Sequence, residues 1–238
     1  MNTALWDAQS DAYQREVGPL WERHPCSWGA YFVPDRDLGA IGDVNGRDVL
    51  ELGCGGARWS IALAKRGGRC VGIDPSQRQL HHAAKLVAAS GQSVALHRAR
   101  ASKLPFAPDS FDLVFCDHGG LTYDDPARVL AECARVLRSG GRLVFNTSSP
   151  WAEVCAQAGD GRIGQTLQRS YFGLGRVRDD DGVTWVLPYG VWIDLLRKNG
   201  FRVDALHELR PDPETAEPSS EHWARHWPTE MLWCVTRD

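Results

Sequence analysis

Short apolar runs alternate with longer amphipathic stretches along the first two thirds of the chain. The apolar runs predict five strands, at "RDVLELG", "RCVGIDPS", "SVALHRA", "FDLVFCD" and "RLVFNTSS". The amphipathic stretches predict helices, at "GARWSIALAKRG", "QRQLHHAAKLVAASG" and "DDPARVLAECARVLRSGG". Strands this apolar, alternating with helices, are typical of a parallel sheet covered on both faces. The pattern therefore predicts an α/β fold with a doubly wound, mostly parallel sheet.

The third predicted helix has the clearest boundaries. Pro126 lies near its start, where proline is tolerated, and Gly140-Gly141 is expected to end it. Its apolar face comprises Val129, Leu130, Cys133, Val136 and Leu137. The spacing of these positions predicts a helix that continues up to the glycine pair.

The alternation breaks after Ser149. Residues 150–186 form a longer and less regular segment than a simple connection, and "YGVWIDLLRKNG" and "FRVDALHEL" then restore one helix and one strand. A polar, proline-rich passage leads to a last strand, "MLWCVTR". Long irregular segments within a compact α/β domain are often functional lids, while a disordered surface loop is the alternative for Pro211 to Ser220.

Composition narrows the class of protein. The chain has 238 residues, a net charge of -3 and 43% hydrophobic residues, which favours a single domain with one substantial core. The slightly acidic balance gives no sign of a surface that binds phosphates along a duplex, so a nucleic acid is not the expected partner. The N-terminus is too polar for a signal peptide, and no apolar run has the length of a membrane span. We expect a soluble, cytoplasmic protein of unassigned oligomeric state.

The cysteine pattern bears on whether the chain has a metal or redox site. The chain has seven cysteines, an odd number, and lacks a C-x-x-C pair. Several lie in strand-like or helix-like apolar contexts such as "RCVGID" and "LVFCD". Buried, reduced thiols are therefore favoured over a metal or redox site.

A glycine-rich turn follows the first predicted strand, where α/β proteins commonly bind nucleotides. The dinucleotide fingerprint begun at Gly53 would find its second glycine at Gly55 but Arg58 in place of the third. No Gly-Lys-Ser/Thr follows at the spacing of a phosphate-binding loop. The turn therefore allows close approach of a ligand but lacks the parts that bind a pyrophosphate.

Four motifs in order, "LELGCGGA", "VGID", "LPFAPDSFDLVF" and "RVLRSGGRLVF", lie between Val49 and Ser149. Together they resemble the class I S-adenosylmethionine-dependent methyltransferases, in particular the small-molecule branch that includes ubiquinone and menaquinone methyltransferases. The resemblance implies a Rossmann-like sheet of seven strands, mostly parallel, with the last strand antiparallel. It also explains why the turn lacks the parts that bind a pyrophosphate, because S-adenosylmethionine carries an amino acid and a sulfonium where a dinucleotide carries phosphates.

The resemblance divides the single domain, 1–238, into four parts. Residues 1–45 are expected to form an N-terminal helical cap, 46–149 the cofactor-binding core, 150–186 an inserted substrate lid after the fifth strand, and 187–238 the C-terminal helix and strands. Ala57 stands where many relatives carry a further glycine, a small substitution.

The resemblance also implies a cofactor site. Asp74 would accept hydrogen bonds from both ribose hydroxyls, Glu51 would lie near the methionine amino group, and Tyr13 would close over the methionine end. Purely structural roles, such as a helix cap for Asp74, are the alternatives. The implied cofactor-binding residues are Glu51, Gly53, Cys54, Gly55, Asp74, Pro75, Ala101, Ser102 and Tyr13.

One position departs from the family. Relatives commonly have an aspartate before "A-x-x-L-P-F" that binds the adenine amine, whereas this chain has Arg100. Arginine cannot accept that hydrogen bond. Either adenine is bound by backbone groups near Ala101 and by Ser102, or Arg100 turns to solvent.

Candidate catalytic residues follow the fourth strand. Asp117 and His118 should lie at the carboxyl edge of the sheet, where ligands bind. An imidazole that titrates near neutrality suits deprotonation of a hydroxyl or ammonium acceptor. The alternatives are that both residues only shape the cofactor wall, or that catalysis relies on proximity alone. Tyr123 is a weaker polar candidate.

Ten tryptophans are many for this length, and most lie outside the motifs. They suit either satellite packing or an aromatic acceptor pocket under a lid formed by the N-terminus and the insertion; the residues are Trp6, Trp21, Trp28, Trp151, Trp185, Trp223 and Trp227. His222 and His226 have a spacing that can bind metal on a helix. No third ligand is evident, so we predict no metal site.

The leading hypothesis is methyl transfer from S-adenosylmethionine, giving S-adenosylhomocysteine, to an apolar or aromatic small molecule. A non-catalytic S-adenosylmethionine-binding sensor or partner protein is the alternative, suggested by Arg100 and the lack of an unambiguous base. An NAD-dependent oxidoreductase is disfavoured by Arg58. The atom that is methylated, oxygen, nitrogen or carbon, stays open.

Overall fold

The structure, a computed structural model, describes residues 3–157, 162–179, 182–211 and 223–238. Its strands are β1 (Ser27–Trp28), β2 (Val33–Pro34), β3 (Asp48–Leu52), β4 (Arg69–Asp74), β5 (Val94–Arg98), β6 (Phe111–Asp117), β7 (Leu137–Ser148), β8 (Arg176–Asp179), β9 (Gly182–Trp185), β10 (Phe201–Leu209) and β11 (Glu230–Arg237). Its helices are α1 (Thr3–Glu16), α2 (Gly18–Arg23), α3 (Asp35–Leu38), α4 (Arg58–Lys65), α5 (Gln77–Ser90), α6 (Gly120–Tyr123), α7 (Pro126–Val136), α8 (Pro150–Cys155) and α9 (Tyr189–Lys198), with a 3₁₀ turn at Tyr171–Gly173.

The central sheet has seven strands in the order β10-β11-β7-β6-β3-β4-β5. The pairs from β7 to β5 are parallel, whereas β11 is antiparallel to both of its neighbours. The predicted fold and all seven predicted strands are confirmed. Since β3 lies between β4 and β6, the strand order reverses there, and ligands bind at the carboxyl ends of the strands at such a point.

Both faces of the sheet are buried because successive side chains of a strand point to opposite sides. In β3, Leu50 and Leu52 belong to one core cluster and Val49 to the other. All three side chains are fully buried. The helices α4, α5, α7 and α9 form at the positions that the sequence predicts.

The end of α7 is a correction. The helix ends at Val136 and not at Gly140-Gly141, because Leu137 is already extended and pairs with Phe111 of β6. Leu137 is nevertheless fully buried in the same core as the helix. Its burial therefore continues the apolar spacing across the boundary, which is why periodicity alone placed the end too late. Gly140 lies within β7 with φ +75°.

The predicted N-terminal helical cap is present, and α1 packs on α5 through polar contacts. Ser76 Oγ donates a hydrogen bond of 2.6 Å to Asp7, and Asp11 contacts both Arg78 and His82. The buried side chains of α1 are themselves polar, Ser10 and Gln14. The contact of α1 with α5 therefore includes hydrogen bonds and charges.

The insertion after β7 contains α8, the 3₁₀ turn and the β8–β9 hairpin. Most of the proline-rich passage from Pro211 to Ser220 lies outside the described residues. Within the described part of the chain, every helix is too short or too polar to cross a bilayer. All seven cysteines are free thiols, and every one except Cys26 is buried.

Candidate active site

The glycine-rich turn after β3 touches the turn after β6. Gly53 has φ +70°, and a Cβ there would lie 2.8 Å from Gly119 Cα. In return, a Cβ on Gly119 would lie 2.1 Å from the carbonyl oxygen of Leu52. The absence of a side chain at Gly53 therefore allows the two backbone turns to pack together. It also leaves room for a ligand to approach the turn.

Asp74 ends β4 and fixes the same turn. Its carboxylate accepts hydrogen bonds from the backbone nitrogens of Gly55 at 3.0 Å and Ser76 at 2.8 Å. A carboxylate has about four acceptor sites, so these two bonds leave capacity for further donors. Burial raises the pKa of Asp74 to about 6. At neutral pH the residue is thus a carboxylate able to accept hydrogen bonds from a pair of hydroxyls.

A cavity of about 620 Å³ lies at this edge of the sheet. Its wall combines the ends of β3, β4 and β6 with residues of the N-terminal cap. The predicted site residues that line it are Tyr13, Gly53, Gly55, Asp74, Pro75, Ala101, Asp117 and His118. The structure thus brings together most of the residues that the sequence indicated, from segments far apart in the chain.

Three predicted residues do not line the cavity. Glu51 accepts hydrogen bonds from the backbone nitrogen (3.0 Å) and the hydroxyl (2.5 Å) of Ser60 in the first turn of α4, and burial raises its pKa to about 8. Cys54 is buried in a small apolar cluster on the side of Gly72. Ser102 bonds to Asp124, which does line the wall. That Glu51, Cys54 and Ser102 contribute to cofactor binding stays a prediction.

Arg100 turns to Asp124. Its guanidinium lies 2.8 Å from the Asp124 carboxylate, to which Ser102 Oγ also donates at 2.5 Å. Burial alone would raise the pKa of Asp124, but these hydrogen bonds lower it below its ordinary value. Arg100 and Asp124 therefore form an ion pair on the cavity wall beside Ala101.

The candidate catalytic pair belongs to a partly buried polar network. Asp117 accepts a hydrogen bond of 2.8 Å from Asn146 Nδ2 and two of 3.2 Å from the backbone nitrogen of Gly29. His118 Nε2 contacts the carboxylate of Glu230, the first residue of β11. The network connects two strand ends with the N-terminal segment.

The protonation of His118 differs from the sequence-based expectation of titration near neutrality. Burial alone would lower its pKa, but the carboxylates of Glu230 and Asp117 raise it to about 9. Burial also raises the pKa of Asp117, against the effect of His118. In this state the imidazole is a cation at neutral pH, and it becomes a proton acceptor only at higher pH or after its surroundings change.

Aromatic rings from the cap cover the cavity. Trp6 contacts Tyr13 and Tyr123 edge to face, with ring centroids 5.8 and 5.3 Å apart. Trp21 and Phe32 form a second such pair at 4.8 Å. All five side chains line the cavity. The cap, together with Tyr123 of α6, thus supplies an apolar, aromatic part of the cavity wall.

The other tryptophans lie elsewhere. Trp28 is fully buried against Trp59, Trp185 packs on the main core, and Trp151 is 42% exposed. No described residue of 150–186 lines the cavity, so the lid role of the insertion stays a prediction. His222, of the His222–His226 pair, lies outside the described residues. Within the described ranges, no cluster of three or more potential metal ligands is found.

Sequence reasoning missed Glu230 and Asp124. Glu230 precedes the last predicted strand, and an antiparallel strand begins at the edge where its parallel neighbours end, so topology could have indicated it. Asp124 follows a one-turn helix, α6, that has no periodic signal. Gln14, whose amide donates to Gln79 at 2.7 Å and accepts from Arg58 at 2.6 Å, was also missed.

Known proteins share this architecture. The family described as "Methyltransferase domain" matches residues 50–145. A ubiquinone biosynthesis O-methyltransferase of Hahella chejuensis is 37% identical over 143 residues, 60% of this chain and 55% of that protein. The protein with the same description from Stutzerimonas stutzeri is 33% identical over 169 residues, 69% of this chain and 67% of that protein. An S-adenosylmethionine dependent methyltransferase structure from Mesorhizobium loti superposes with a TM-score of 0.72 at 26% identity, covering 84% of this chain and 95% of that one.

These similarities agree with the fold and with the motif order. The chain therefore belongs to the family of class I S-adenosylmethionine-dependent methyltransferases, and the resemblance inferred from the sequence is confirmed. The chain spans about half the length of the first curated relatives that it matches, 55%, 56% and 51%.

Proposed function

We propose that this chain transfers a methyl group from S-adenosylmethionine to a small apolar or aromatic acceptor. The observation that carries the proposal is the cavity at the switch point of the sheet, which the glycine-rich turn, Asp74 and His118 all line. The family membership and the relatives described as O-methyltransferases support the same reaction.

The residues present fit this cofactor. Asp74 has unused acceptor capacity for the ribose hydroxyls, as counted from its two backbone bonds. Gly53, Gly55, Pro75 and Ala101 would border the cofactor, and Tyr13 would cover its methionine end. When bound, S-adenosylmethionine supplies a methyl group activated by a positively charged sulfur.

The chain's own contribution would be positioning, exclusion of water and removal of a proton. The aromatic wall of Trp21 and Phe32 would hold an apolar acceptor beside His118. Neutral His118 would accept the acceptor's proton, and Asp117 would stabilise the resulting imidazolium. The core 46–149 would bind the cofactor, the cap 1–45 would close over it, and 150–186 would form a further lid.

A cytoplasmic location is part of this proposal. It is supported by the free state of all seven cysteines, which is the usual state in a reducing compartment.

Calorimetric titration of the protein with S-adenosylhomocysteine and with NAD tests the cofactor. Turnover with a panel of compact aromatic compounds carrying hydroxyl, amine or carbon nucleophiles, read by mass spectrometry, tests the reaction. We expect binding of S-adenosylhomocysteine, no binding of NAD and a mass gain of one methylene in an acceptor. Binding of NAD alone would refute the proposal, and cofactor binding without turnover on the whole panel would favour the non-catalytic alternative.

A further inference from the structure

Glu230 lies at the start of β11, and its side chain is only 8% exposed at the cavity wall. Its carboxylate contacts His118 Nε2, and each of its oxygens lies 3.1 Å from the backbone nitrogen of Ala30. The residue pairs with Ser148 at the end of β7, so the rigid sheet carries its backbone. The Glu230 carboxylate thus contacts both the His118 imidazole and the backbone of the N-terminal segment at Ala30.

We propose that Glu230 is a positioning residue for the proposed methyl transfer, because it holds the His118 ring through Nε2 and reserves Nδ1 for the acceptor's proton. This inference rests on the proposed function. In the step itself, the bond from the acceptor atom to hydrogen breaks and Nδ1–H forms. The acceptor's electron pair forms the new bond to the methyl carbon, and the sulfur–carbon pair returns to sulfur, which becomes neutral.

The backbone of His118 is constrained as well. His118 has φ +51°, in the left-handed region that non-glycine residues seldom adopt. Its backbone nitrogen donates to the carbonyl oxygen of Asn146 at 3.2 Å. Strained conformations of this kind persist only where the surroundings impose them, and the contact with Glu230 is one such constraint.

The charges around the ring are consistent with this role. Glu230 from β11 and Asp117 from β6 act directly on His118, while Tyr13 of α1 and Glu51 of β3 interact with Asp117. The carboxylates stabilise the imidazolium, against the effect of burial, and raise the pKa of His118 to about 9. A ring held in this way is a stronger base once neutral, and it gains a partner for the charge that it acquires.

The variant Glu230→Gln separates charge from shape. Its amide oxygen can still accept from Ala30, but it no longer carries the charge that faces His118. NMR titration of histidine ring nitrogens in the full-length protein, with His118 assigned from the spectrum of His118→Asn, should show two results. In the parent, neutral His118 should carry its proton on Nε2. In Glu230→Gln, the midpoint of His118 should fall by about one to three pH units.

Glu208→Gln is the matched control, since Glu208 is exposed and bonds to Tyr189 away from the cavity. It should leave the His118 midpoint unchanged. Glu230→Asp retains the charge on a shorter side chain, so its midpoint should lie between those of the parent and Glu230→Gln. An unmoved midpoint in Glu230→Gln, or a parent ring protonated on Nδ1, would overturn the proposal.

The rate of methyl transfer gives the second readout. With a turned-over acceptor, Glu230→Gln should move the pH–rate transition down with the NMR midpoint and lower the limiting rate about ten- to hundredfold. A role confined to holding the cap would lower the rate with the transition unmoved, which would also contradict the proposal. If the NMR results hold while no acceptor is methylated by the parent, the proposed function fails and the positioning of His118 stands.

Discussion

The two sides of the cavity are assembled in different ways. On the proposed cofactor side, Asp74 bonds to Gly55, which is 19 positions away, and to Ser76, two positions away. On the proposed acceptor side, Asp117 bonds to Gly29 across 88 positions, and Glu230 contacts His118 across 112. The first side is a local strand–turn–helix unit, whereas the second exists only when distant segments meet.

The two sides also balance charge differently. Asp74 is held by the backbone nitrogens of Gly55 and Ser76. Asp117 and Glu230 instead surround one imidazole. Hydrogen bonds from backbone nitrogens persist when most neighbouring side chains are substituted. Contacts between two side chains are lost when either residue is substituted. We expect the acceptor side to be the one that sets substrate preference.

The largest effect should come from the acceptor side. His118→Ala should lower turnover about 10²- to 10⁴-fold, because it removes the proton acceptor in the transition state. Affinity for S-adenosylhomocysteine should be nearly unchanged. Single-turnover rates across pH 6 to 10 would check this, since the parent rate should rise through the His118 pKa of about 9.

His81→Ala, at an exposed position on α5, is the control and should behave like the parent. A loss below about tenfold that does not vary with pH would remove His118 as the base and favour catalysis by proximity. The family assignment would be unaffected.

On the cofactor side, Asp74→Ala should weaken binding of S-adenosylhomocysteine by roughly 2–4 kcal/mol, because it removes an acceptor of two charge-assisted hydrogen bonds. Calorimetric titration of the folded variant measures this directly. Asp43→Ala, an exposed aspartate near β3, should bind like the parent. Unchanged affinity in Asp74→Ala would remove that residue from the site.

Gly53→Ala should disrupt the contact between the turn after β3 and the turn after β6. The new Cβ would meet the backbone of Gly119 at 2.8 Å from a left-handed conformation, so unfolding by urea should show a loss of about 2–3 kcal/mol. Gly91→Ala isolates the conformational cost, because Gly91 has φ +68° with open space around it, and should lose about 1 kcal/mol. Equal losses in the two variants would show that the contact with Gly119 is unimportant.

The smallest effect should come from the aromatic wall. Trp21→Leu removes one ring of this wall, and because an aromatic contact with the acceptor would be worth about 1 kcal/mol, the KM of an aromatic acceptor should rise about fivefold. The affinity for S-adenosylhomocysteine should stay constant. Trp227→Leu, at a residue 54% exposed, is the control. If Trp21→Leu weakened cofactor and acceptor equally, the division into two sides would be wrong.

The sequence indicated the positions of Asp74 and the glycine-rich turn at one edge of the sheet because their signals are local. An apolar run ending at Asp74 and a glycine turn after β3 each report a strand end, and parallel strand ends share one edge. Alternation likewise predicted the seven strands. It failed at the end of α7, since Leu137 is buried from an extended backbone in the same core as the helix.

The acceptor side was predicted only in part. His118 was found because it directly follows β6, but its partner Glu230 is brought to it by the pairing of β11 with β7, and no local pattern marks that pairing. The raised pKa of His118 departs from the expected titration near neutrality for the same reason, because it comes from the neighbouring carboxylates. The protonation of such a network depends on which charged groups the fold brings together.

The attachment of α1 bears on how ligands enter and leave. Asp11 connects it to α5 through the exposed Arg78 and Asp7 through the buried Ser76, and its own buried side chains are Ser10 and Gln14. When such contacts break, the groups regain water, so the helix can separate without opening the main core. Exchange of a molecule beneath Trp6 and Tyr13 should therefore quicken as ionic strength rises, because salt screens the charges that hold the helix down.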